Sequence, residues 1–171
     1  MGAFTYPRSE PGSGGHLDLV ERLNANSSAV RGELAGLPDA ALAYRPGENE
    51  WSILDVVAHL CDHAGHLCDR VDRIIKLEDP RLPGWDQIAE LERRRPQAAG
   101  LSELLDELMS KRAETVDMLA ELVHWNWART GRHEERGRLS IRQLVDRALA
   151  HDDAHLAQLR SLKEAAPAAA S

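Results

Sequence analysis

Apolar residues recur at intervals of three and four positions along most of the sequence, which is the spacing of an amphipathic helix. The pattern predicts four long helices, over about residues 16–37, 53–76, 101–126 and 141–163. No segment alternates apolar and polar residues between turn signals, so no strand is predicted. Four helices joined by connections of different lengths predict an all-α protein folded as a four-helix bundle.

Two of the predicted helices start with residues that can satisfy their free amide groups. Ser52 precedes the second helix and Asp55 follows three residues later, while Ser140 and Gln143 have the same spacing at the fourth helix. In such a capping box, the hydroxyl accepts a hydrogen bond from the amide of the third helical residue. The side chain of that residue accepts one from the amide of the cap residue. These capping boxes predict that the second helix begins after Ser52 and the fourth helix after Ser140.

The remaining segments are predicted to be loops or flexible ends. We expect a loop with one helical turn after the first helix, some helix within residues 84–100, and a polar loop over residues 128–138. Residues 1–15 are rich in Gly, Pro and Ser and residues 165–171 in Ala, and both segments are predicted to be flexible. One domain over residues 16–164 is the expected organisation for a chain of 171 residues.

Charge and cysteine content exclude several classes of protein. The net charge of −7 argues against a nucleic-acid partner, and the arginine run at 93–95 is interpreted as a solvent-facing surface. No apolar run approaches the roughly 18 residues that a membrane span needs, and the first residues lack a secretory pattern. Cys61 and Cys68 lie about 10 Å apart along one helix, too far for a disulfide. Free thiols favour a cytoplasmic protein.

The stretch ALAHDDAHLAQL, residues 148–159, places two histidines one turn apart on the apolar side of the fourth helix. On a helical wheel, His155 lies near the middle of the inward arc and His151 lies inside one edge. A single inward histidine is usually a hydrogen-bonded core residue, because an unpartnered buried imidazole is costly. Two of them on one face can converge on a metal ion, so the pair favours a metal site.

A third ligand is expected from a neighbouring helix, since two histidines make a weak site. The second helix carries His59, His63 and His66 along one flank. On its wheel, His63 lies about 60° from the centre of the apolar arc, His59 about 100° and His66 about 120°. The wheel slightly favours His63, and at least one of the three histidines is expected to have no role in the site.

The other histidines and motifs give weaker support for a functional site. Glu121 and His124 have the spacing of a di-iron carboxylate motif, but the second copy that such bundles need is absent. His124 is therefore interpreted as a residue at a helix C-terminus, where the dipole favours it. His133 is assigned to a loop and His16 to the start of the first helix. The sequence has no zincin motif, phosphate-binding glycine loop, paired-cysteine zinc motif or nucleophile elbow.

Three stretches together resemble the DinB/YfiT-like superfamily: ELAGLPDAAL, AYRPGENEWSILDVVAHLCD and GRHEERGRLSIRQLVDRALAHDDAHLAQL. The resemblance implies a four-helix bundle that holds one divalent ion per chain through His59, His151 and His155. The resemblance therefore favours His59, whereas the helical wheel favours His63. The two residues differ by about 40° on the wheel, an angle that helix tilt in a bundle easily compensates. Zinc or nickel is the first expectation for the ion, with manganese or iron as alternatives. His63, His66 and Asp152 are expected beside the ligands.

The resemblance also directs the functional hypotheses. Some relatives transfer or isomerise with the thiols bacillithiol or mycothiol, and many are homodimers. The first hypothesis is a cytoplasmic, metal-dependent transferase that joins a low-molecular-weight thiol to a small electrophile. A metal-dependent hydrolase is the alternative enzyme. The rival from another class is a non-catalytic, stress-associated bundle in which the ion only stabilises the fold.

Overall fold

Four long helices form the body of the protein in the computed structural model, which describes residues 15–94 and 100–166. The described elements, in chain order, are α1 (His16–Leu34), α2 (Asp39–Ala43), α3 (Ile53–Lys76), β1 (Arg81–Leu82), α4 (Gln87–Arg94), α5 (Leu101–Ala120), a 3₁₀ helix (His124–Ala128), β2 (Thr130–His133), β3 (Gly137–Ser140) and α6 (Ile141–Ala165). The long helices are α1, α3, α5 and α6. The predicted four-helix bundle is confirmed. Most of the two ends predicted to be flexible, residues 1–15 and 165–171, lies outside the described residues.

Each long helix packs against two others, so that α1 and α3 both lie between α5 and α6. Their apolar stripes meet in two buried clusters along the bundle. One cluster is centred on α3 residues such as Val57 and Leu60, and the other includes Val71 and Ile74 further along the same helix. Burial of these leucine, isoleucine and valine side chains stabilises the fold by about 25 cal/mol per Å² of apolar surface removed from water.

The two predicted capping boxes are present, and they fix where α3 and α6 begin. The Asp55 amide donates to Ser52 Oγ at 3.2 Å and the Ser52 amide donates to Asp55 Oδ2 at 2.8 Å. The Gln143 amide donates to Ser140 Oγ at 3.1 Å and the Ser140 amide donates to Gln143 Oε1 at 2.9 Å. These caps matter for the site, because α3 and α6 carry the histidines that the sequence singles out.

The expectation of no strands was wrong. Residues 130–140, which include most of the expected polar loop, form the hairpin of β2 and β3, and β1 pairs with β2 in parallel to make a three-stranded sheet. The chain passes very close to itself here, since a Cβ added at Gly131 would lie 2.9 Å from the buried Leu82 side chain. Strands of two to four residues are too short to show an alternation of apolar and polar positions.

Two helices end earlier than predicted. The first helix ends at Leu34 because Gly36 takes a φ of +74°, a left-handed conformation that apolar periodicity does not reveal. Similarly, α5 ends at Ala120 and a 3₁₀ helix follows. Near the start of α1, Leu17 is 72% exposed, whereas Leu19 is buried. The predicted turn after the first helix is α2, and the predicted helix within residues 84–100 is α4.

Arg94 corrects the interpretation of the arginine run as solvent-facing. Its Nε donates to Asp62 on α3 at 2.7 Å, and its two terminal nitrogens donate to Glu107 on α5 at 3.0 and 2.6 Å. The third residue of the run, at position 95, lies outside the described residues. Arg94 therefore ties α4 to two helices of the bundle through charge-assisted hydrogen bonds.

The cysteines are both free thiols, as predicted. Cys61 is buried and donates to the Leu104 carbonyl at 3.0 Å, and burial raises the pKa of its thiol to about 12. It is thus a packing residue rather than a nucleophile. In the described part of the chain, no helix is both long enough and apolar enough to cross a membrane.

Candidate metal centre

Three histidines from two helices converge inside the bundle. His59 on α3 faces His151 and His155 on α6, and a ring nitrogen of each lies within 4.8 Å of the other two. The Nε2 atoms of His59 and His151 are 2.8 Å apart. His59 is 1% exposed and His151 7% exposed, so these nitrogens are largely removed from water.

The donor set fits a divalent cation better than it fits hydrogen bonding alone. Gln158 Oε1 lies 2.8 Å from Nδ1 of His155, which places the proton on that nitrogen and leaves the Nε2 lone pair available. One shared proton can form a hydrogen bond between the Nε2 atoms of His59 and His151. It leaves the nearby Nε2 lone pair of His155 without a proton. A metal ion accepts all three, and imidazole nitrogen is a favoured ligand of zinc, nickel and iron.

Burial keeps the imidazoles of His59 and His155 neutral, as metal ligation requires. Burial, followed by the nearby His151 and His155, lowers the pKa of His59 to about 2. Burial also lowers the pKa of His155 to about 4, with His151 as the next cause. Both rings therefore offer lone pairs at neutral pH.

A second group of possible ligands shares His151, but its ring geometry is unfavourable. His63, His151 and Asp152 also offer atoms within 4.8 Å of one another. The rings of His63 and His151 are stacked, with centroids 3.7 Å apart and planes 12° apart. An imidazole lone pair lies in the ring plane, so two stacked rings cannot direct theirs at one ion.

The first group has the required tilts. The His59 ring is inclined by 51° to that of His151 and by 65° to that of His155, and the two α6 rings are inclined by 64° to each other. Rings inclined in this way can point their lone pairs at a common centre. The geometry therefore favours His59 over His63 as the third ligand, and it places His63 flat against the ring of His151.

Two tryptophans that the sequence analysis did not single out enclose the cluster. The Trp51 ring lies 5.0 Å from that of His59 and is parallel to that of His155 at 6.3 Å. The Trp85 ring stacks on that of His59 at 5.5 Å and lies tilted against that of His66 at 4.4 Å. His66, expected beside the ligands, thus contacts Trp85 and belongs to neither group of possible ligands found among the described residues. The only sequence signal was the position of Trp51, directly before the capping residue of α3.

A buried ion pair lies beside His151. Asp152 is 3% exposed, and its Oδ2 accepts a hydrogen bond at 2.7 Å from Nη2 of Arg112 on α5, which is 1% exposed. The other Asp152 oxygen lies 3.7 Å from His151 Nδ1. Arg112 was missed, although it continues the apolar stripe of α5, four positions after Leu108. Its position on that stripe was a usable signal, because a charge there must be buried and paired.

A cavity of about 710 Å³ adjoins the cluster and is walled by α3, α6, the segment before α4 and the hairpin. His63, His151, Trp85 and His133 are among the residues that line it. His133, assigned to a loop, lies in β2 and is buried. Its Nδ1 accepts a hydrogen bond from the Glu135 amide at 3.2 Å. This cavity could not be predicted from the sequence, because its walls come from four segments that are distant along the chain.

His16 and His124 lie elsewhere and have no part in the cluster. The His16 ring stacks on Trp127 at 4.4 Å and lies 4.7 Å from that of His124. The interpretation of His124 as a helix C-terminal residue was wrong, because α5 ends at Ala120 and His124 starts the 3₁₀ helix.

The fold and the cluster define a four-helix-bundle protein with a candidate three-histidine metal centre. A model of the DinB superfamily matches residues 22–159, and the chain belongs to that superfamily. YfiT from Bacillus subtilis, described as a probable metal-dependent hydrolase with an unusual four-helix bundle topology, has a similar structure with a TM-score of 0.83. The two sequences are 18% identical, and the match covers 93% of this chain and 91% of YfiT.

A second solved structure shares the architecture. TT2238, a four-helix bundle protein, matches with a TM-score of 0.63 and 23% identity, over 86% of this chain and 99% of TT2238. At these identities the two likenesses establish the fold alone. No functionally curated protein matches the sequence significantly.

Proposed function

We propose that this chain is a metal-dependent enzyme in which His59, His151 and His155 hold one divalent ion, zinc or nickel in the first place and manganese or iron as alternatives. The observation that carries the proposal is a set of three converging imidazoles next to a cavity of about 710 Å³. Three protein ligands leave coordination positions for a reactant, which is the arrangement of catalytic rather than structural sites.

The proposed reaction is transfer of a low-molecular-weight thiol, of the bacillithiol or mycothiol type, to a small electrophile. A bound divalent ion lowers the pKa of a thiol or a water molecule that occupies its remaining positions. In the transfer, the sulfur forms a bond to the electrophilic carbon, the leaving group departs with its electron pair, and the thiol proton passes to solvent. Membership of the DinB superfamily and a cavity much larger than a water molecule support this reaction.

The chain's own residues position and enclose the reactants. Trp51 and Trp85 cover the His59 ring and limit the access of water to the ligands. The Asp152 carboxylate, fixed by Arg112, lies on the Nδ1 side of His151. A carboxylate in that place favours the tautomer of His151 with its proton on Nδ1. The lone pair on Nε2 is then available to the ion.

A metal-dependent hydrolase is the second candidate, and the likeness to YfiT supports it. Water would then take the place of the thiol at the same centre. We also propose, from the sequence, that the protein is a homodimer in the cytoplasm and that residues 16–164 form a single domain.

We expect one divalent ion per chain when purified protein is reconstituted with zinc or nickel, measured by native mass spectrometry. Chelation should lower the melting temperature by only a few degrees, because the leucine-rich bundle retains its apolar core without the ion. Reconstituted protein without any bound ion would contradict the proposal. Complete unfolding on chelation would support the purely structural role instead.

The reaction is tested with four thiols, bacillithiol, mycothiol, glutathione and cysteine, each offered a chlorinated aromatic electrophile. We expect metal-loaded protein to consume at least one thiol faster than chelated protein does, with loss of the difference in His151→Ala. A parallel panel of activated esters and amides tests the hydrolase. Turnover of esters with all thiols inert would favour hydrolysis, and inactivity in both panels would favour the non-catalytic bundle.

A further inference from the structure

The two tryptophans beside the histidine cluster are held in the protein in different ways. Trp51 directly precedes the cap residue of α3 and packs against the apolar cluster that includes Val57 and Leu60. Among the described residues, Trp85 belongs to neither apolar cluster, and it lies half-buried in the connection between β1 and α4. Packing of the core therefore explains the position of Trp51, whereas the position of Trp85 needs another reason.

Polar contacts fasten the segment before α4 to the rest of the protein. The Pro83 carbonyl accepts a hydrogen bond at 2.8 Å from Nη2 of Arg70 on α3. The Gly84 amide donates at 2.9 Å to Oε2 of Glu134, which follows β2. The Asp86 carboxylate accepts from two amides of the first turn of α4, at 3.0 and 3.1 Å, and so caps that helix. These contacts on both sides fix the backbone that carries the tryptophan of this segment.

The Trp85 ring contacts a candidate metal ligand and also lines the cavity. It stacks on the His59 ring, with centroids 5.5 Å apart and planes 17° apart. The described lining of the cavity includes Trp85 and His151 but neither His59 nor His155. His59 is 1% exposed, and its Nδ1 is buried without a hydrogen-bond partner in the described part of the chain. From the cavity, the centre is therefore met at His151, with the Trp85 ring against His59.

We propose that Trp85 is a specificity-determining residue, whose fixed ring closes the cavity side of His59 and leaves reactants to approach the centre beside His151. A rigid side chain selects among ligands by steric exclusion, because a larger group cannot occupy the same volume. The polar contacts of Pro83 and Gly84 serve this selection, since they keep the ring in place. The inference rests on the proposed function and narrows the reactants to those small enough to reach the ion beside an intact indole ring.

The first test measures access to His59 in the metal-free protein. The full chain is chelated and treated with diethyl pyrocarbonate, a small reagent that acylates accessible imidazoles, and peptide mass spectrometry gives the rate of His59 modification. Wild type is compared with Trp85→Ala, Trp85→Leu and Trp85→Phe. The matched control is Trp125→Ala, which removes an indole that is 73% exposed in the 3₁₀ helix, outside the cavity lining. Circular dichroism checks that each variant is folded, and the Leu and Phe variants decide if Trp85→Ala is not.

We expect His59 to be modified about tenfold or more faster in Trp85→Ala than in wild type, where the reagent must wait for local opening of the ring. The rate should follow the size of the side chain, with Trp85→Leu between Trp85→Ala and Trp85→Phe. Equal rates in Trp85→Ala and wild type overturn the inference. It is also overturned if Trp85→Phe reacts as fast as Trp85→Ala, or if Trp125→Ala shows the same increase.

The second test measures access to the ion in zinc-loaded protein. Transfer of zinc to the coloured chelator 4-(2-pyridylazo)resorcinol is followed by absorbance, and we expect it to be about tenfold faster in Trp85→Ala than in wild type. The two proposals fail separately, because the first test needs no metal. Protein that binds no ion contradicts the proposed function, and His59 modification still decides this inference. Zinc binding with unchanged modification and unchanged zinc transfer in Trp85→Ala overturns only this inference.

Discussion

We expect His59→Ala to lose the metal ion, whereas His63→Ala retains it at saturating metal. His59 Nε2 lies 2.8 Å from His151 Nε2, and its removal leaves two histidines, which is a poor site. His63 instead stacks on the His151 ring, so its loss should loosen that ring and lower metal affinity by about 10–100-fold. Metal titration followed by native mass spectrometry measures both effects.

His66→Ala is the matched control, because His66 lies on the same helix and packs against Trp85. We expect this variant to bind the ion with nearly wild-type affinity. If His63→Ala empties the site while His59→Ala does not, the third ligand is His63, and the stacked ring geometry must rearrange on binding.

The second large effect concerns the buried pair of Arg112 and Asp152. Replacing Arg112 with methionine leaves the Asp152 carboxylate buried without its cation, and we expect a loss of about 3–5 kcal/mol in the free energy of unfolding. Urea denaturation measures this loss. Lys111→Met is the control, because the Lys111 side chain is 41% exposed and pairs with Glu114 on the same helix, a contact worth about 1 kcal/mol or less.

The double variant Arg112→Met with Asp152→Leu separates a lost ion pair from simple damage to the packing. Because it removes both charges, it should be more stable than Arg112→Met alone. If the double variant loses as much free energy of unfolding as Arg112→Met and Asp152→Leu lose in sum, the two residues are not energetically coupled. Comparable losses in Arg112→Met and Lys111→Met would show that burial of the pair has no energetic consequence.

The helices of the bundle could be predicted from the sequence because they depend on local patterns. Apolar periodicity indicated the four long helices, and Ser52 and Ser140 marked the starts of α3 and α6 by hydrogen bonds that span only three residues. The ends were less predictable, as at Gly36, where backbone conformation and not periodicity stops α1. The hairpin was missed because each of its strands has only four residues, and β1 was missed because it pairs with β2 far away in sequence, which leaves no local pattern.

The part of the candidate site that lies on a single helix was predictable, whereas the part that depends on how two helices pack was not. His151 and His155 lie one turn apart, and the wheel of one helix was enough to direct both inward. The wheel ranked His59 below His63, because it contains neither the tilt of α3 against α6 nor the orientation of a ring. The superfamily resemblance supplied His59. Arg112 was missed, although its spacing on α5 places it among buried leucines.

The distance along the chain between the two facing imidazoles has a consequence for folding kinetics. His59 and His151 are 92 residues apart in sequence, and they meet only when α3 and α6 dock. Closing so long a loop is entropically costly and is repaid only by tertiary packing, so the two rings come together late in folding. Uptake of the ion therefore reports a docked bundle, whereas helix formation alone leaves the ligands apart.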